Sequence, residues 1–518
     1  MGITSTLRRT AQVRGSHTAS YFQGRRHTWR EFLDRVQRAA AGIRKLGVKP
    51  GDRVAMLALS SDRYMELFAA VPWAGGVVVP MNLRWSLPEL ADSLQDSGAI
   101  LLFVDETMEE MGRKLQAEVG PHVKLASVAD RPPADLPGYE DMIRQNDPAP
   151  DAGRTGDDLY GIFYTGGTTG RSKGVMLSHR NSLAGCMTAY AEGYYKEDAV
   201  CLVACPMFHA AGSWPLIALF GSGGGAYILP AFDAKGALEM IEKEGCTEGL
   251  LVPTMIQMII EHPDFAKTNT SSIKQIVYGA SPITEALLDR ALAALPHVQF
   301  IQAYGQTELS PLCTQLHHKH LVGESRKVGR HRSAGRAVYG VEVRIVDEDD
   351  RDVKQGEVGQ ILCRGDNVMQ GYWQRPEETA AALKDGWMHT GDGGWMDEEG
   401  FVYVVDRVKD MIVSGAENVY SVEVENAISR HPAVQSVAVI GIPHEKWGEQ
   451  VHAIVILWQG HTASEDDIVA HCRTLIAGYK VPRSVEFRTE AFPLSGAGKV
   501  LKRELRKPYW AGKDRQVN

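Results

Sequence analysis

Hydrophobic residues in this chain recur in two alternating periods. Over residues 28–46 they follow a helical spacing, opened by Thr28-Trp29-Arg30-Glu31. A hydroxyl residue with a glutamate three positions on is a capping box, so the pattern predicts an amphipathic helix that ends near Gly47. Short apolar runs at 53–59, 76–80 and 99–105 read as strands, separated by predicted helices at about 62–72 and 87–95. Strands alternating with helices predict α/β layering. Residues 128–157 hold five prolines among acidic and small residues and read as an irregular connection.

A β-prone run at 159–164 and another at 175–177 flank a polar, glycine-rich segment, and Ser178 then caps a predicted helix to about Glu192. Strand-like runs resume at 200–204, 226–229, 249–252, 275–278 and 299–303. Gly221-x-Gly223-x-x-Ala226 has the look of a dinucleotide fingerprint, but it precedes a strand where the fingerprint follows one, and it reads as a turn. From Arg326 shorter strands (342–347, 359–364) indicate a β-rich subdomain. Composition shifts again near 406–410, and strands at 436–441, 451–457 and 484–488 with helices at 421–430 and 464–477 follow. The pattern predicts a large N-terminal α/β domain (1–405) of layered sheets and helices with a β-rich subdomain. A small mobile α+β C-terminal domain (406–518) completes the chain.

A length of 518 residues requires more than one core. Net charge is −8, which argues against a general nucleic-acid binder, so a polyanionic ligand needs a local site. The seven cysteines are scattered with no C-x-x-C pair, which predicts buried reduced thiols and neither a disulfide framework nor a zinc site. No apolar run is long enough to span a bilayer, and no signal-peptide pattern opens the chain. A cytoplasmic protein without a transmembrane segment is expected, and a homodimer is left open.

The segment Tyr164-Thr165-Gly166-Gly167-Thr168-Thr169-Gly170-Arg171-Ser172-Lys173-Gly174 is rich in glycines, hydroxyls and cations, a good anion cradle and a poor core. Its lysine spacing is not that of the common P-loop. Further polar stretches stand at predicted strand ends or turns: Gly279-Ala280-Ser281, Tyr304-Gly305-Gln306-Thr307-Glu308, and Thr390-Gly391-Asp392. Strand ends of open α/β sheets bind ligands, and a carboxylate beside a phosphate cradle suits Mg²⁺. Taken singly, Glu308 also reads as a solvated loop acid, Asp392 as a turn stabiliser, and Lys499 in Gly496-Ala497-Gly498-Lys499 as surface. Asp406-Arg407-Val408-Lys409-Asp410 and Ser414-Gly415-Ala416-Glu417-Asn418 lie on the composition break.

In this order and at these separations the motifs resemble the adenylate-forming superfamily, in particular its acyl-CoA synthetases, from about Trp29 to about Arg503. The resemblance implies ATP, Mg²⁺ and coenzyme A as cofactors and a carboxylic acid as the small-molecule partner. A carboxylate would attack the α-phosphate of ATP to give acyl-AMP and pyrophosphate, and CoA would then displace AMP. By similarity, Thr165, Gly166, Gly167, Thr168, Thr169, Gly170 and Lys173 hold the β- and γ-phosphates. Thr307 contacts the α-phosphate and Glu308 binds Mg²⁺. Gly279, Ala280, Ser281 and Tyr304 enclose adenine, while Asp392 and Arg407 hold the ribose. Lys499 acts on the reacting centre. The small domain turns about a hinge at Lys409 and presents Gly415, Ala416 and Glu417 to pantetheine. The chain departs from the usual pattern at Gly166 (usually Ser), Ser172 (usually Pro) and Ala416 (usually Gly).

Pro206-Met207-Phe208-His209 resembles the mouth of the family's acyl pocket. His209 either gates the carboxylate or packs there, and Phe208, Trp214, Val252, Thr254 and Gly305 line it. No charged residue stands out in these segments, which disfavours amino acids and dicarboxylates and favours a fatty or aromatic acid. The stretches 406–420 and 444–449 most resemble fatty acyl-CoA synthetases, so a medium- or long-chain fatty acid is the expected substrate. An aryl or alicyclic acid, or a stand-alone enzyme loading a carrier protein, is the alternative. Trp447 either stacks on the CoA adenine or covers the small domain. His317-His318-Lys319-His320 reads as solvated loop with no acid partner. An inactive nucleotide-binding relative is disfavoured because Glu308, Asp392 and Lys499 are all present.

Overall fold

The first helix forms where the capping box places it. In the computed structural model, which describes every residue except 166–171, 408–410, 415–416, 446, 497 and 512–518, the helix is Trp29–Lys45. The Thr28 side chain accepts from the Glu31 amide, and the Glu31 carboxylate accepts from the Thr28 amide at 2.8 Å. Ser178 likewise accepts from the Asn181 amide and opens helix His179–Ala191.

Two parallel-rich sheets build the large domain. One runs, in spatial order among the described residues, Gly371–Tyr372, Lys173–Ser178, Leu159–Thr165, Val77–Pro80, Arg53–Leu57, Ala99–Val104, Lys124–Ser127. The other runs Arg336–Ala337, Thr314–Leu316, Gln299–Tyr304, Gln275–Gly279, Glu248–Leu251, Val200–Val203, Gly225–Ile228, Thr18–Phe22, Arg25–Thr28. A single contiguous core takes side chains from both sheets. Helix Asp62–Ala74 is buried at every position, which is why its sequence is apolar almost all round. Its two acids are paired: Asp62 with Arg25 at 2.8 Å, Glu66 with Arg35 at 2.6 Å.

The β-rich subdomain pairs Val341–Val346, Gly359–Gly365, Trp387–Met396 and Val402–Arg407. The small C-terminal domain is built on the hairpin Val434–His444 with Gly448–Leu457, covered by helices Ser421–Ser429 and Glu465–Arg473 over a core of its own. The fold is the expected large α/β domain with a small α+β partner. Gly223 is the left-handed residue closing helix Ala210–Ser222, so the Gly221-x-Gly223 pattern is a turn. All seven cysteines are buried and free, as expected, and the Cys313 and Cys363 sulfurs lie 2.8 Å apart.

Several elements depart from the sequence reading. Helix Ile3–Val13 and the hairpin of Thr18–Phe22 with Arg25–Thr28 precede the first expected element. The proline-rich connection contains helix Tyr139–Gln145. That helix is only two turns long and is held by tertiary burial of Tyr139, Met142 and Ile143, with Met142 packed onto Gly42. The helix expected to reach residue 477 ends at Arg473. No helix among the described residues is long and apolar enough to cross a membrane.

Candidate active site

The parallel strands Gln275–Gly279 and Gln299–Tyr304 end side by side, with Gly279 opposite Ala303. A Cβ on Gly279 would lie 2.2 Å from the Ala303 carbonyl oxygen, and one on Gly305 would lie 1.9 Å from that of Pro311. Both positions therefore demand glycine, and the backbone there forms a flat ledge. Ala280 follows in the left-handed region at φ +66°, a strained conformation for a residue with a side chain. Beside the ledge the Tyr304 hydroxyl donates to Asp392 Oδ2 at 2.7 Å. Burial and the Asp392 carboxylate push the Tyr304 phenol well up, so it remains a donor. Asp392 is buried on strand Trp387–Met396, its backbone paired with Arg407, and the Gln306 side chain donates to Thr390 O at 3.0 Å. Three separate sequence motifs thus meet in one corner.

A second group gathers where the glycine-rich segment rejoins its sheet. Thr165 pairs across the hairpin with Lys173. Thr307 opens a short 3₁₀ turn, Thr307–Leu309, that carries the buried Glu308. Glu308 Oε1 accepts from the Tyr372 hydroxyl at 2.9 Å, and Lys173 Nζ sits 4.8 Å from the centre of the same tyrosine ring.

The third group comes from the C-terminal end of the chain. The turn carrying Lys499 is closed by its own backbone, with Ser495 N donating to Lys499 O at 2.7 Å and Gly498 N to Ser495 O at 2.9 Å. The large domain holds it from two sides. Arg84 Nη1 donates to the carbonyls of Leu494 (3.2 Å) and Ser495 (2.6 Å), and Thr254 Oγ1 donates to Gly498 O at 3.0 Å. A Cβ on Gly496 would meet Phe208, His209 Nε2 and Asn82 at 3.0 Å each, and one on Gly498 would meet Val252 at 2.9 Å. The loop therefore lies directly on Phe208, His209, Val252 and Thr254. Burial, with Lys499 and Arg84 nearby, pushes the His209 imidazole down to about 4, and its buried Nε2 has no hydrogen-bond partner among the described residues. The imidazole is therefore neutral at neutral pH, and Lys499 and Arg84 are the cations beside it.

Trp214 is buried against Tyr194 and Tyr195, with its indole N–H toward Gly185. Trp447 stacks on His444 at 4.2 Å, and the Arg483 guanidinium lies 3.7 Å over its ring, a cluster within the small domain. Gly166, Gly167, Thr168, Thr169, Gly170, Lys409, Gly415 and Ala416 lie outside the described residues, and Arg407 and Glu417 are described by backbone alone. One expectation is corrected: His317 does have an acid partner, Glu192 Oε2 at 3.1 Å, brought by helix His179–Ala191. Sequence reasoning missed Tyr372, Arg84 and Asn82. Only the aromatic pair after glycine in Gly371-Tyr372-Trp373 signalled the first, and a lone arginine in a loop signalled nothing.

The donor set fits the implied ligands. Among the described residues no three His, Cys, Asp or Glu side chains converge to hold a metal alone. Mg²⁺ instead takes one or two carboxylates and completes its shell with phosphate oxygens and water, which Glu308 beside the phosphate cradle suits. The ledge at Gly279 and Gly305, open to close backbone approach, suits a flat purine.

A family model described as AMP-binding enzyme matches residues 7–373, and one described as AMP-binding enzyme C-terminal domain matches residues 423–499. The chain is 39% identical over 520 residues to a feruloyl-CoA synthase of an Amycolatopsis species, covering 98% of this chain and 99% of that protein. It is 34% identical over 522 residues to the fatty acid–acyl-carrier-protein ligase ScoC of Streptomyces coeruleorubidus, covering 99% and 98%. The fold matches ATP-bound MatB from Rhodopseudomonas palustris with a TM-score of 0.88 at 29% identity, covering 98% of this chain and 99% of that one. With both of the family's domains matched in order and relatives of this identity covered over nearly their whole length, the chain belongs to the AMP-binding, adenylate-forming family of enzymes.

Proposed function

We propose that this AMP-forming acid–thiol ligase couples a monocarboxylic acid with an uncharged, apolar body to CoA, with a medium- or long-chain fatty acid as the first reading. The observation that carries the proposal is the docking of the Lys499 loop, from the far end of the chain, onto Phe208, His209 and Thr254 beside the strand-end ledge. In the first half-reaction a carboxylate oxygen bonds to the α-phosphorus of ATP as the bond to pyrophosphate breaks. Lys499 stabilises the negative charge gathering between carboxylate and phosphate, a preorganised contribution of about 3–4 kcal/mol. Thr307 orients the α-phosphate, Thr165 to Lys173 hold the outer phosphates, and Tyr304, Asp392 and Arg407 hold the nucleoside. Glu308 would hold Mg²⁺, whose charge offsets that of the triphosphate when bound.

In the second half-reaction the CoA sulfur bonds to the acyl carbon and AMP leaves. Lys499 has no part in this step. The small domain, taken as residues 406–518, turns about Lys409, withdraws Lys499 and brings Ser414 to Glu417 toward the pantetheine. A few chain positions suffice for such a hinge.

A second reading, an aryl acid, has its own support. The buried Trp214 indole N–H has no acceptor among the described residues. A hydroxyl or ether oxygen on the ring of an aryl acid supplies an acceptor that an alkyl chain lacks. The 39% identical relative named for feruloyl-CoA synthesis points the same way. A panel of medium- and long-chain fatty acids and of aryl acids, each with ATP and with or without CoA, decides between them. CoA-dependent AMP and thioester formation from dodecanoate or hexadecanoate but not from ferulate supports the first reading, and the reverse supports the second. AMP release with no thioester from any acid overturns both.

A further inference from the structure

We propose that Tyr372 is a positioning residue for the adenylation step, which aims the Glu308 carboxylate at the metal ion and holds Lys173 toward the phosphates. The proposal rests on the reading of Glu308 as magnesium ligand and Lys173 as phosphate cation given above. Its basis is one side chain serving both groups: the hydroxyl donates to Glu308 Oε1 at 2.9 Å, and the ring carries the Lys173 ammonium 4.8 Å from its centre.

The two contacts do different things. A carboxylate accepts at several lone-pair positions, so a donor on one oxygen restrains its rotation without using up its capacity for a cation. The Tyr372 hydroxyl supplies that donor. The ring face attracts an ammonium through its quadrupole, restraining a long flexible side chain at the root of the glycine-rich segment.

The backbone around Tyr372 is itself held in place. Tyr372 pairs with Val175, its amide donates to Thr379 Oγ1 at 2.9 Å, and the Trp373 amide donates to Gly174 O at 2.7 Å. Trp373 Nε1 and Arg375 both bind Asp96, at 2.9 and 3.0 Å, and Asp96 also accepts from Tyr164 at 2.7 Å. From the other side the Met369 amide donates to the Glu308 carbonyl at 2.9 Å. Tyr372 thus touches Lys173 and the turn bearing Glu308, while its neighbours Trp373 and Arg375 reach Tyr164 through Asp96. Partners that orient a metal ligand typically change metal affinity 10- to 100-fold when removed.

The test uses the full-length enzyme and two variants of this residue. Binding of α,β-methylene-ATP is measured by calorimetry across a Mg²⁺ titration, and pyrophosphate exchange is followed with dodecanoate and with ferulate. Tyr372→Phe keeps the ring and should raise the Mg²⁺ concentration for half-maximal nucleotide binding about tenfold, leaving affinity at saturating Mg²⁺ nearly unchanged. Tyr372→Leu should add a weaker nucleotide affinity that Mg²⁺ does not restore. Conversion of supplied acyl adenylates to thioester should be unchanged in both. A Mg²⁺ curve for Tyr372→Phe that overlays the parent's overturns the proposal, as does equal loss of both half-reactions. Glu308→Gln separates the two levels: if its Mg²⁺ curve shifts while that of Tyr372→Phe does not, only the positioning role fails. If neither shifts, the metal reading of Glu308 fails with it.

Discussion

The small domain's seat on the large one is a set of polar contacts that two half-reactions on one mobile domain would require to be breakable. Arg430 of the small domain binds Glu285 at 2.5 Å, Gln435 donates to Glu261 at 3.2 Å, and the Arg290 guanidinium lies 5.0 Å over Trp458. Glu285 is a shared acceptor. His331 at 3.4 Å and Arg332 at 2.7 Å also reach it, and His331 together with the two guanidiniums holds its carboxyl down at about 2. Arg430→Ala therefore strands no charge, because Glu285 keeps its partners within the large domain. The lost pair is partly exposed, with the Arg430 side chain at 34% and Glu285 at 16%, so its worth is about 1 kcal/mol. That is about a fivefold shift in the docking equilibrium. Adding Gln435→Ala should bring it to about 13- to 30-fold, counting roughly 0.5–1 kcal/mol for one more hydrogen bond. In single-turnover assays the double variant should slow acid-dependent pyrophosphate release by up to that factor. Thioester formation from supplied acyl adenylate should be unchanged or faster. If both half-reactions slow equally, or neither changes in the double variant, these contacts do not govern the switch.

Lys499→Ala should cut acid-dependent pyrophosphate release about 10²- to 10³-fold while supplied acyl adenylate still becomes thioester, as read by following both products. Lys409→Pro should preserve adenylation and block thioester formation, and unchanged overall turnover refutes the hinge. Glu248 is buried and accepts from the Tyr195 amide at 3.2 Å, and burial pushes its carboxyl from 4.5 up to about 7. A folded value above the unfolded one means stability is lost as pH rises from about 4.5 through 7. Glu248→Gln should therefore raise Tm at pH 8 and leave it unchanged at pH 5, a difference of up to about 3 kcal/mol checked by thermal unfolding at both pH values. Gly305→Ala, which places a methyl 1.9 Å from the Pro311 carbonyl oxygen, should lower Tm and weaken nucleotide binding more than tenfold, measured on the same preparation.

Local chemistry carried much of the fold. The Thr28–Glu31 capping box, the Ser178 cap and the strands Leu159–Thr165 and Lys173–Ser178 are decided within a few residues, so their sequence signals are complete. The two-turn helix Tyr139–Gln145 and the early hairpin were not legible, because their stability comes from the surfaces they cover.

The same division runs through the site. Motif order and spacing in the sequence carried the resemblance to the family, and through it the reaction class and the residues to watch. Only the tertiary structure decided which groups meet: Tyr304 with Asp392 across two sheets, Tyr372 with both Glu308 and Lys173, and Arg84 with a loop more than 400 residues away. A tyrosine or an arginine has a hundred ordinary uses, and its residue type says nothing of its partner. Partnership across long sequence separation is set by how sheets and domains pack, and that is written in the sum of the core and in no single motif.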